Sequence, residues 1–196
     1  MVDLFSDIIK RCKRGDRKAQ ESVYNLLAGK MFAVCLRYCP NYEEARDLLH
    51  DGFVTVFTKI GQFSHGGSFE GWVRRIFVNQ AIERYRNDAK VLMVTGIDEN
   101  DRCFATSDDD GDEVDEWGAY QLTEAELLAM VDELPPQYKV VFNLYVIDGL
   151  SHREIAKKLG ISESASRTDL LRARGILQKR IKEKVDSVMV KSNASN

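Results

Sequence analysis

One predicted helix near the end of this chain carries side chains that can recognise nucleic-acid bases. Its apolar spacing buries Leu170, Ala173 and Leu177 on one face. The opposite face near the N-terminal end of the helix then presents Arg167, Thr168, Leu171 and Arg172. Arginine forms two parallel hydrogen bonds with guanine, and threonine bonds a base edge or packs on a thymine methyl group. These residue types in this pattern indicate sequence-specific DNA binding.

The elements around this face have the spacing of a helix-turn-helix motif. Ser151 and Glu154 form a capping-box signature that opens a short helix. Gly160 turns the chain, and Ser162 is placed to cap the long helix that follows. Such a motif inserts its second helix into the major groove. An ordinary helical hairpin with a solvated basic face has the same spacing, but the charge of this segment favours DNA.

The charge is distributed unevenly along the 196 residues. Residues 1–90 contain 15 Lys+Arg and 11 Asp+Glu, a balance of +4. Residues 91–150 contain 2 Lys+Arg and 15 Asp+Glu, a net charge of −13. Residues 151–196 contain 11 Lys+Arg and 5 Asp+Glu, a net charge of +6. Two basic segments therefore flank an acidic one. The ends are suited to negatively charged partners, and the centre repels them.

Several classes of protein are disfavoured by the sequence. No secretory signal is visible, and the longest apolar run of about eight residues is far below the roughly 18 that span a bilayer. Cys12, Cys35, Cys39 and Cys103 form no CxxC pair, so free thiols in a cytoplasmic protein are expected. His50 with Cys35 and Cys39 lacks an obvious fourth metal ligand. We therefore expect no membrane insertion, metal, cofactor or catalytic site.

The first half of the chain is helical by its spacing. Apolar residues recur at three- and four-residue steps over 45–60 and again over 69–81. A glycine-rich loop joins these two stripes, and Ser68 is placed to cap the second helix. Upstream, the pattern predicts two further helices, Leu4–Arg14 and Arg17–Cys39. The sequence predicts a compact all-helical bundle.

The pattern predicts an all-α protein of two helical domains. The first covers residues 1–90, and the second covers 122–186 with a helix from Pro136 through Ile147 ahead of the helix-turn-helix. Residues 91–121 combine scattered apolar residues with a dense acidic run and are expected to form a flexible linker. Residues 187–196 are expected to be a disordered tail.

Three sequence blocks resemble one family. Leu134–Phe142, running into the helix-turn-helix, resembles region 4 of bacterial sigma factors. Glu44–Phe53 resembles the polymerase-binding helix of region 2, and Phe69–Ile82 resembles its promoter-melting helix. With a short acidic linker between them, the chain is similar to the extracytoplasmic-function (ECF) sigma factors. The resemblance implies a non-enzymatic initiation factor that binds core RNA polymerase, directs it to promoters and assists DNA melting.

The resemblance also implies a polymerase-binding surface. In this family, region 2 grips a coiled coil of the polymerase clamp through the helix that here spans Asp47–Ile60. Asp47, His50 and Asp51 lie off the apolar stripe and are the predicted contacts. The alternative is an ordinary solvated face. His50 stands where the family usually shows Gln, and Gly52 stands where it shows a larger residue.

A second implied surface binds the −10 promoter element. Unstacking a base costs free energy, which a protein recovers by holding the unpaired base. In the family, a loop equivalent to residues 63–68 captures a flipped base, and the next helix reads its neighbours. The predicted base contacts are Ser64, His65, Ser68 and Asn79. The predicted phosphate contacts are Arg74, Arg75, Arg84 and Arg86. Trp72 offers a stacking platform, but its position on the apolar stripe favours core packing.

The helix-turn-helix is implied to read the −35 element through Arg167, Thr168, Leu171 and Arg172. Ser166 replaces a buried valine common in the family, and a hydrogen bond back to its own helix is expected. Asp169 replaces a cation beside the DNA.

The partners implied by the family are core RNA polymerase, promoter DNA and an anti-sigma factor. The linker is either a simple tether or a segment that threads the polymerase cleft. The alternative function is a polymerase-independent helix-turn-helix regulator with a helical sensor domain. A helical enzyme is the third class, and the sequence shows no catalytic motif for it.

Overall fold

The computed structural model describes residues 2–64, 67–95 and 122–193, and the regular structure in these ranges is entirely helical. This confirms the predicted all-α class. The chain divides into two compact units between Ile97 and Asp98, and each is described by itself. The N-terminal module contains α1 (Val2–Lys13), α2 (Arg17–Tyr38), α3 (Tyr42–Lys59) and α4 (Phe69–Thr95). The C-terminal module contains α5 (Glu124–Asp132), α6 (Pro136–Phe142), α7 (His152–Leu159) and α8 (Glu163–Asn193).

Local side-chain caps fix the starts of the helices in the N-terminal module. The Asp16 carboxylate accepts hydrogen bonds from the first amides of α2 at 2.9 and 3.2 Å. Gly15 supplies the positive φ of +82° that the turn from α1 requires. Asn41 caps α3 by accepting from the Glu44 amide at 2.9 Å. These caps account for the observed starts of α2 and α3.

The core of the N-terminal module lies where α2, α3 and α4 pack together. Its buried side chains come from all three helices and include Val23, Leu27, Met31, Leu48, Phe53, Val56, Val73 and Phe77. Gly52 of α3 lies against the ring of Phe77, where an added Cβ atom would overlap the ring. The three helices thereby hold the loop between α3 and α4 at one end of the bundle.

Two helices are longer than the sequence predicted. Helix α4 continues to Thr95, although we expected the linker to begin at residue 91. Helix α8 continues to Asn193, although we expected a disordered tail from residue 187. Neither extension contains a proline or glycine, and Gly96 directly follows α4, so the backbone has no local reason to stop earlier. The remaining predicted linker, residues 96–121, lies outside the described residues.

In the C-terminal module, local residues account for the starts of α5 and α6, and an unpredicted turn follows α6. Thr123 and Glu126 form the complete capping box of α5, and Pro136 occupies the first turn of α6. The predicted helix through Ile147 is wrong in its last part, where Asn143–Ile147 widens into a π-helical turn. The amide of Asp148 there bonds the carbonyl of Asn143 at 3.0 Å. A hydrogen bond from the amide of residue i+5 to the carbonyl of residue i defines a π-helical turn, and the apolar spacing of the sequence does not predict it.

The helix-turn-helix itself forms as predicted. Ser151 and Glu154 complete the capping box of α7, and Gly160 ends it with a φ of +74°. The Ser162 hydroxyl accepts from the Ala165 amide at 3.0 Å and opens α8. The inner face of α8 packs on α6 and α7 through its buried residues Ser166, Leu170 and Ala173. The outer face of α8 is left exposed. Within the part of the chain that the structure describes, no helix is long and apolar enough to cross a membrane.

Candidate functional site

Three of the four predicted −35 contacts are exposed on the outer face of α8. Arg167 and Thr168 are exposed, and Leu171 is 57% exposed. Arg167 forms a loose ion pair with Glu163 at 3.7 Å within the same helix. Arg172 lies at the margin of this face, half-buried, and its Nη1 atom donates to the Tyr138 hydroxyl at 3.4 Å. Arg172 is therefore partly engaged in the packing of its own module.

Arg174 belongs to the same outer face and was missed by the sequence analysis. It is exposed and lies seven residues, or two helical turns, after Arg167. The seven-residue spacing from Arg167 could have predicted that Arg174 lies on this face. The outer face of α8 thus carries two exposed cations, Arg167 and Arg174, flanking Leu171.

The inner face of α8 carries a polar contact that the sequence analysis assigned differently. Ser166 is fully buried, as its place on the stripe predicted. The expected hydrogen bond back to its own helix is not the one observed, since its hydroxyl lies 2.9 Å from Nδ1 of His152 on α7. The His152 ring stacks on Tyr145 with centroids 4.5 Å apart. Burial lowers the pKa of His152, and the nearby charge of Arg167 lowers it further.

Asp169 lies on the half-buried side of α8 and not beside the outer face. Burial raises the pKa of its carboxyl, and the charge of Arg172 opposes this effect. From the sequence alone, this carboxylate was expected next to DNA, where it would repel phosphate. Its half-buried position limits that repulsion.

The loop between α3 and α4 is anchored at both ends. The carbonyl of Phe63 accepts a hydrogen bond from Nζ of Lys13 at 2.8 Å, and the Phe63 and Phe69 rings meet edge to face at 5.2 Å. Ser64 is exposed, whereas the Ser68 hydroxyl is engaged as the cap of α4 and accepts from the Gly71 amide at 2.9 Å. His65, the remaining predicted base contact in this loop, lies outside the described residues.

Trp72 packs on this anchor and not in open solvent. Its ring stacks on Phe69 at 5.8 Å and lies 5.6 Å from Phe63, and the side chain is half-buried. This agrees with the predicted packing role. The aromatic cluster of Phe63, Phe69 and Trp72 fixes where the loop leaves and enters the bundle.

Helix α4 separates the predicted DNA contacts into two groups. Arg75, Asn79 and Arg86 are exposed and share one face, since they lie four and seven residues apart. Arg74 is half-buried on another side of the helix. Arg84 is directed to α3, where it meets the Glu44 carboxylate at 3.6 Å and donates to the Glu44 carbonyl at 3.4 Å. The structure therefore groups Arg84 with the predicted polymerase contacts.

Those contacts line a cleft of about 530 Å³ between α3 and α4. Asp47, His50 and Asp51 are exposed along α3, as their spacing predicted. The opposite wall is formed by residues of α4 that sequence reasoning did not place here, namely Gln80, Glu83, Arg84 and Asn87. The cleft is mainly acidic and open to a basic partner.

The described residues offer no metal centre. Among them, no group of three or more His, Cys, Asp or Glu side chains is arranged so that it could hold a metal ion. Cys12, Cys35 and Cys39 are buried and form no disulfide, and burial raises the pKa of Cys35 to about 12. His50 is exposed on α3 and stands apart from that buried environment. Cys103 lies outside the described residues.

Comparison with known proteins places both modules in one family. The sigma-70 region 2 family matches residues 23–91, and the sigma-70 region 4 family matches residues 124–177. The ECF RNA polymerase sigma factor SigW of Bacillus subtilis is 28% identical over 182 residues, covering 89% of this chain and 95% of that protein. The ECF RNA polymerase sigma factor SigE of Mycolicibacterium smegmatis is 29% identical over 163 residues, covering 82% of this chain and 62% of that protein.

Among solved structures, one match is the sigma factor RpoE in complex with the anti-sigma factor NepR from Bartonella quintana. It is 18% identical, covers 83% of this chain and 96% of that chain, and has a TM-score of 0.48.

The two modules and the two family matches define a promoter-recognition factor. The chain belongs to the sigma-70 family and, within it, to the ECF sigma factors. It acts in transcription initiation with RNA polymerase.

Proposed function

We propose a division of labour in which the C-terminal module reads the −35 element and the N-terminal module binds both core polymerase and the −10 element. The observation that carries this proposal is the exposed face of α8, presented as the second helix of a helix-turn-helix. A separate module bears the acidic cleft between α3 and α4. Two chemically different surfaces on two modules suit two different partners.

The −35 element is read in duplex form by the outer face of α8. Arg167 and Thr168 stand at the N-terminal end of the helix, where recognition helices contact base edges. Leu171 supplies an apolar contact for a thymine methyl group. Arg174 binds a phosphate, and Arg172 contributes from the margin of the face while held by Tyr138.

The −10 element is held by the loop and by one face of α4. Asn79 can donate to and accept from a base edge, and Arg75 and Arg86 on the same face supply phosphate contacts. Ser64 and His65 belong to the base-capture loop, with Ser68 supporting it as a helix cap. Arg74 and Arg84 are assigned supporting contacts, because neither lies on the face of Asn79.

Core polymerase is bound by Asp47, His50 and Asp51 along the cleft. Carboxylates on an open, acidic surface favour a partner segment rich in arginine or lysine. Glu83 and Asn87 on the opposite wall extend the same surface. Phosphodiester chemistry belongs to the polymerase, and the chain works in the cytoplasm where that enzyme acts.

An anti-sigma factor is a further proposed partner. The N-terminal module exposes apolar side chains that a protein partner would cover, among them Leu26, Tyr42 and Val54, which are 52%, 59% and 53% exposed.

The test of the proposed function is in vitro transcription with core polymerase and genomic fragments, followed by mapping of start sites. We predict that Asp47→Lys with Asp51→Lys abolishes association with core polymerase, because it reverses the charge of the cleft. The matched control is Asp7→Lys with Glu21→Lys, an equal charge change at exposed sites on α1 and α2. Both variants should keep −35 duplex binding.

Retained polymerase association in the cleft variant would remove this surface from the proposal. If the chain instead occupies duplex sites tightly but directs no transcription, the alternative of a polymerase-independent regulator is correct.

A further inference from the structure

The imidazole ring of His152 lies where α7 meets α8. His152 is the first residue of α7, and its Nδ1 atom is 2.9 Å from the buried hydroxyl of Ser166. The half-buried ring stacks on Tyr145 with an interplanar angle of 21°. The residue after Ser166 is Arg167, on the outer face of α8. A titratable ring thus touches the recognition helix from inside, one residue from a proposed DNA contact.

This environment can hold either protonation state of the ring. A serine hydroxyl is both donor and acceptor, so Ser166 can donate to a neutral Nδ1 or accept from a protonated one. When the imidazole is protonated, the face of the Tyr145 ring stabilises its positive charge by a cation–π contact. Protonation therefore breaks no hydrogen bond between α7 and α8.

The charges around the ring connect it to the outer face of α8. Burial is the largest cause that lowers the pKa of His152, and Arg167 and Arg174 lower it further, while Glu163 raises it. Tyr145 packs on the ring from the π-helical turn. Phosphates bound at Arg167 and Arg174 would compensate these two cations. The pKa of the ring would then rise in the DNA complex.

We propose that His152 is a proton-binding site coupled to the outer face of α8, so that the C-terminal module takes up a proton at this ring when α8 binds DNA. The proposal rests on the proposed function, because it requires duplex DNA at α8. Proton uptake on binding makes duplex affinity rise as the pH falls. The affinity changes between the pKa of the ring in the complex and its lower pKa in the free protein, and the full gain is kept at any pH below that window.

The first experiment compares the pH dependence of binding in two full-length chains. The probe is a duplex carrying the −35 element of a start site mapped by transcription, at constant ionic strength. We expect the wild-type affinity to be about threefold to tenfold higher near pH ~5.5 than near pH ~8, since one unit of pKa shift corresponds to about tenfold. His152→Asn keeps a hydrogen-bonding group near the Nδ1 position but does not titrate, and its affinity should change much less. Both chains retain His50 and His65, so their difference isolates His152.

The second experiment needs no substitution. The pKa of the His152 ring is measured by NMR in the free wild-type chain and in its duplex complex, and it should rise on binding. Equal pH profiles for the wild type and His152→Asn, or an unchanged ring pKa, would overturn the inference. A chain that binds no −35 duplex at any pH contradicts the proposed function itself, which distinguishes the two failures.

Discussion

Gly52 shows how one missing side chain sets the distance between α3 and α4. A Cβ atom at this position would overlap the ring of Phe77, which is fully buried. We predict that Gly52→Ala destabilises the N-terminal module by about 1–3 kcal/mol, because the overpacking exceeds the gain in helix propensity of up to about 1 kcal/mol. Urea unfolding of the full chain, followed by the fluorescence of Trp72, measures the change.

Gly29 offers a matched control for this substitution. It is an exposed glycine inside α2, and an added Cβ atom would meet open space. Gly29→Ala should leave stability unchanged or raise it by up to about 1 kcal/mol. If Gly52→Ala changes the free energy of unfolding no more than Gly29→Ala does, the packing of α3 against α4 does not require a glycine at position 52.

Single residues also show what the sequence could predict about the site. The exposure of Asp47, Asp51 and Leu171 follows from their place in the helical repeat, so spacing alone predicted it. The partner of Arg84 is Glu44, 40 residues earlier, and this depends on how α3 and α4 pack. The pairing of His152 with Ser166 depends in the same way on the packing of α7 against α8. Such contacts between elements have no signature in local spacing.

At the scale of elements, helix starts were predictable and helix ends were not. The starts of α5 and α7 depend on capping boxes, in which all the participating atoms lie within four residues. The end of α4 is followed by Gly96, whereas residues 187–193 of α8 contain no breaker, and in both helices the loss of a regular apolar repeat was mistaken for the helix end. The π-helical turn after α6 lies against α7, a contact between elements that local spacing does not predict.

Two cations of α8 bind α5, namely Lys184, which pairs with the Glu126 carboxylate at 2.8 Å, and Arg180. The Arg180 guanidinium donates to the Met130 carbonyl at 3.0 Å and to the Glu133 carbonyl at 3.3 Å. It also pairs with the Glu133 carboxylate at 3.3 Å. Since hydrogen bonds to charged groups contribute about 1.5–3 kcal/mol, we predict that Arg180→Met lowers the opening free energy of α5 by about that amount. Hydrogen exchange of the α5 amides measures it.

The control for this prediction is Lys179→Met, the same loss of charge at the neighbouring exposed position. It should leave α5 exchange unchanged, and exchange in α1 to α4 should be unaffected by either variant. Equal exchange of α5 in both variants would show that the Arg180 contacts do not hold this helix.

At the scale of the whole chain, the dominant feature is the order of its charges. A segment of −13 directly precedes the segment of +6 that contains α8. Covalent connection keeps the acidic residues at a high effective concentration near the cations that we propose bind DNA. The acidic segment should therefore weaken duplex binding by electrostatic repulsion of phosphate, whatever conformation it takes.

Neutralising part of the acidic segment tests this interpretation. We predict that Asp108→Asn, Asp109→Asn and Asp110→Asn together raise duplex affinity by about threefold at low salt, and that the gain shrinks at high salt because the Debye length falls to about 8 Å near 0.15 M. The charge-matched control changes Asp7, Glu21 and Glu43 to their amides on the N-terminal module. An equal gain in the control would mean that net charge alone governs affinity. A gain only in the linker variant would mean that the position of the acidic run, directly before the C-terminal module, weakens duplex binding.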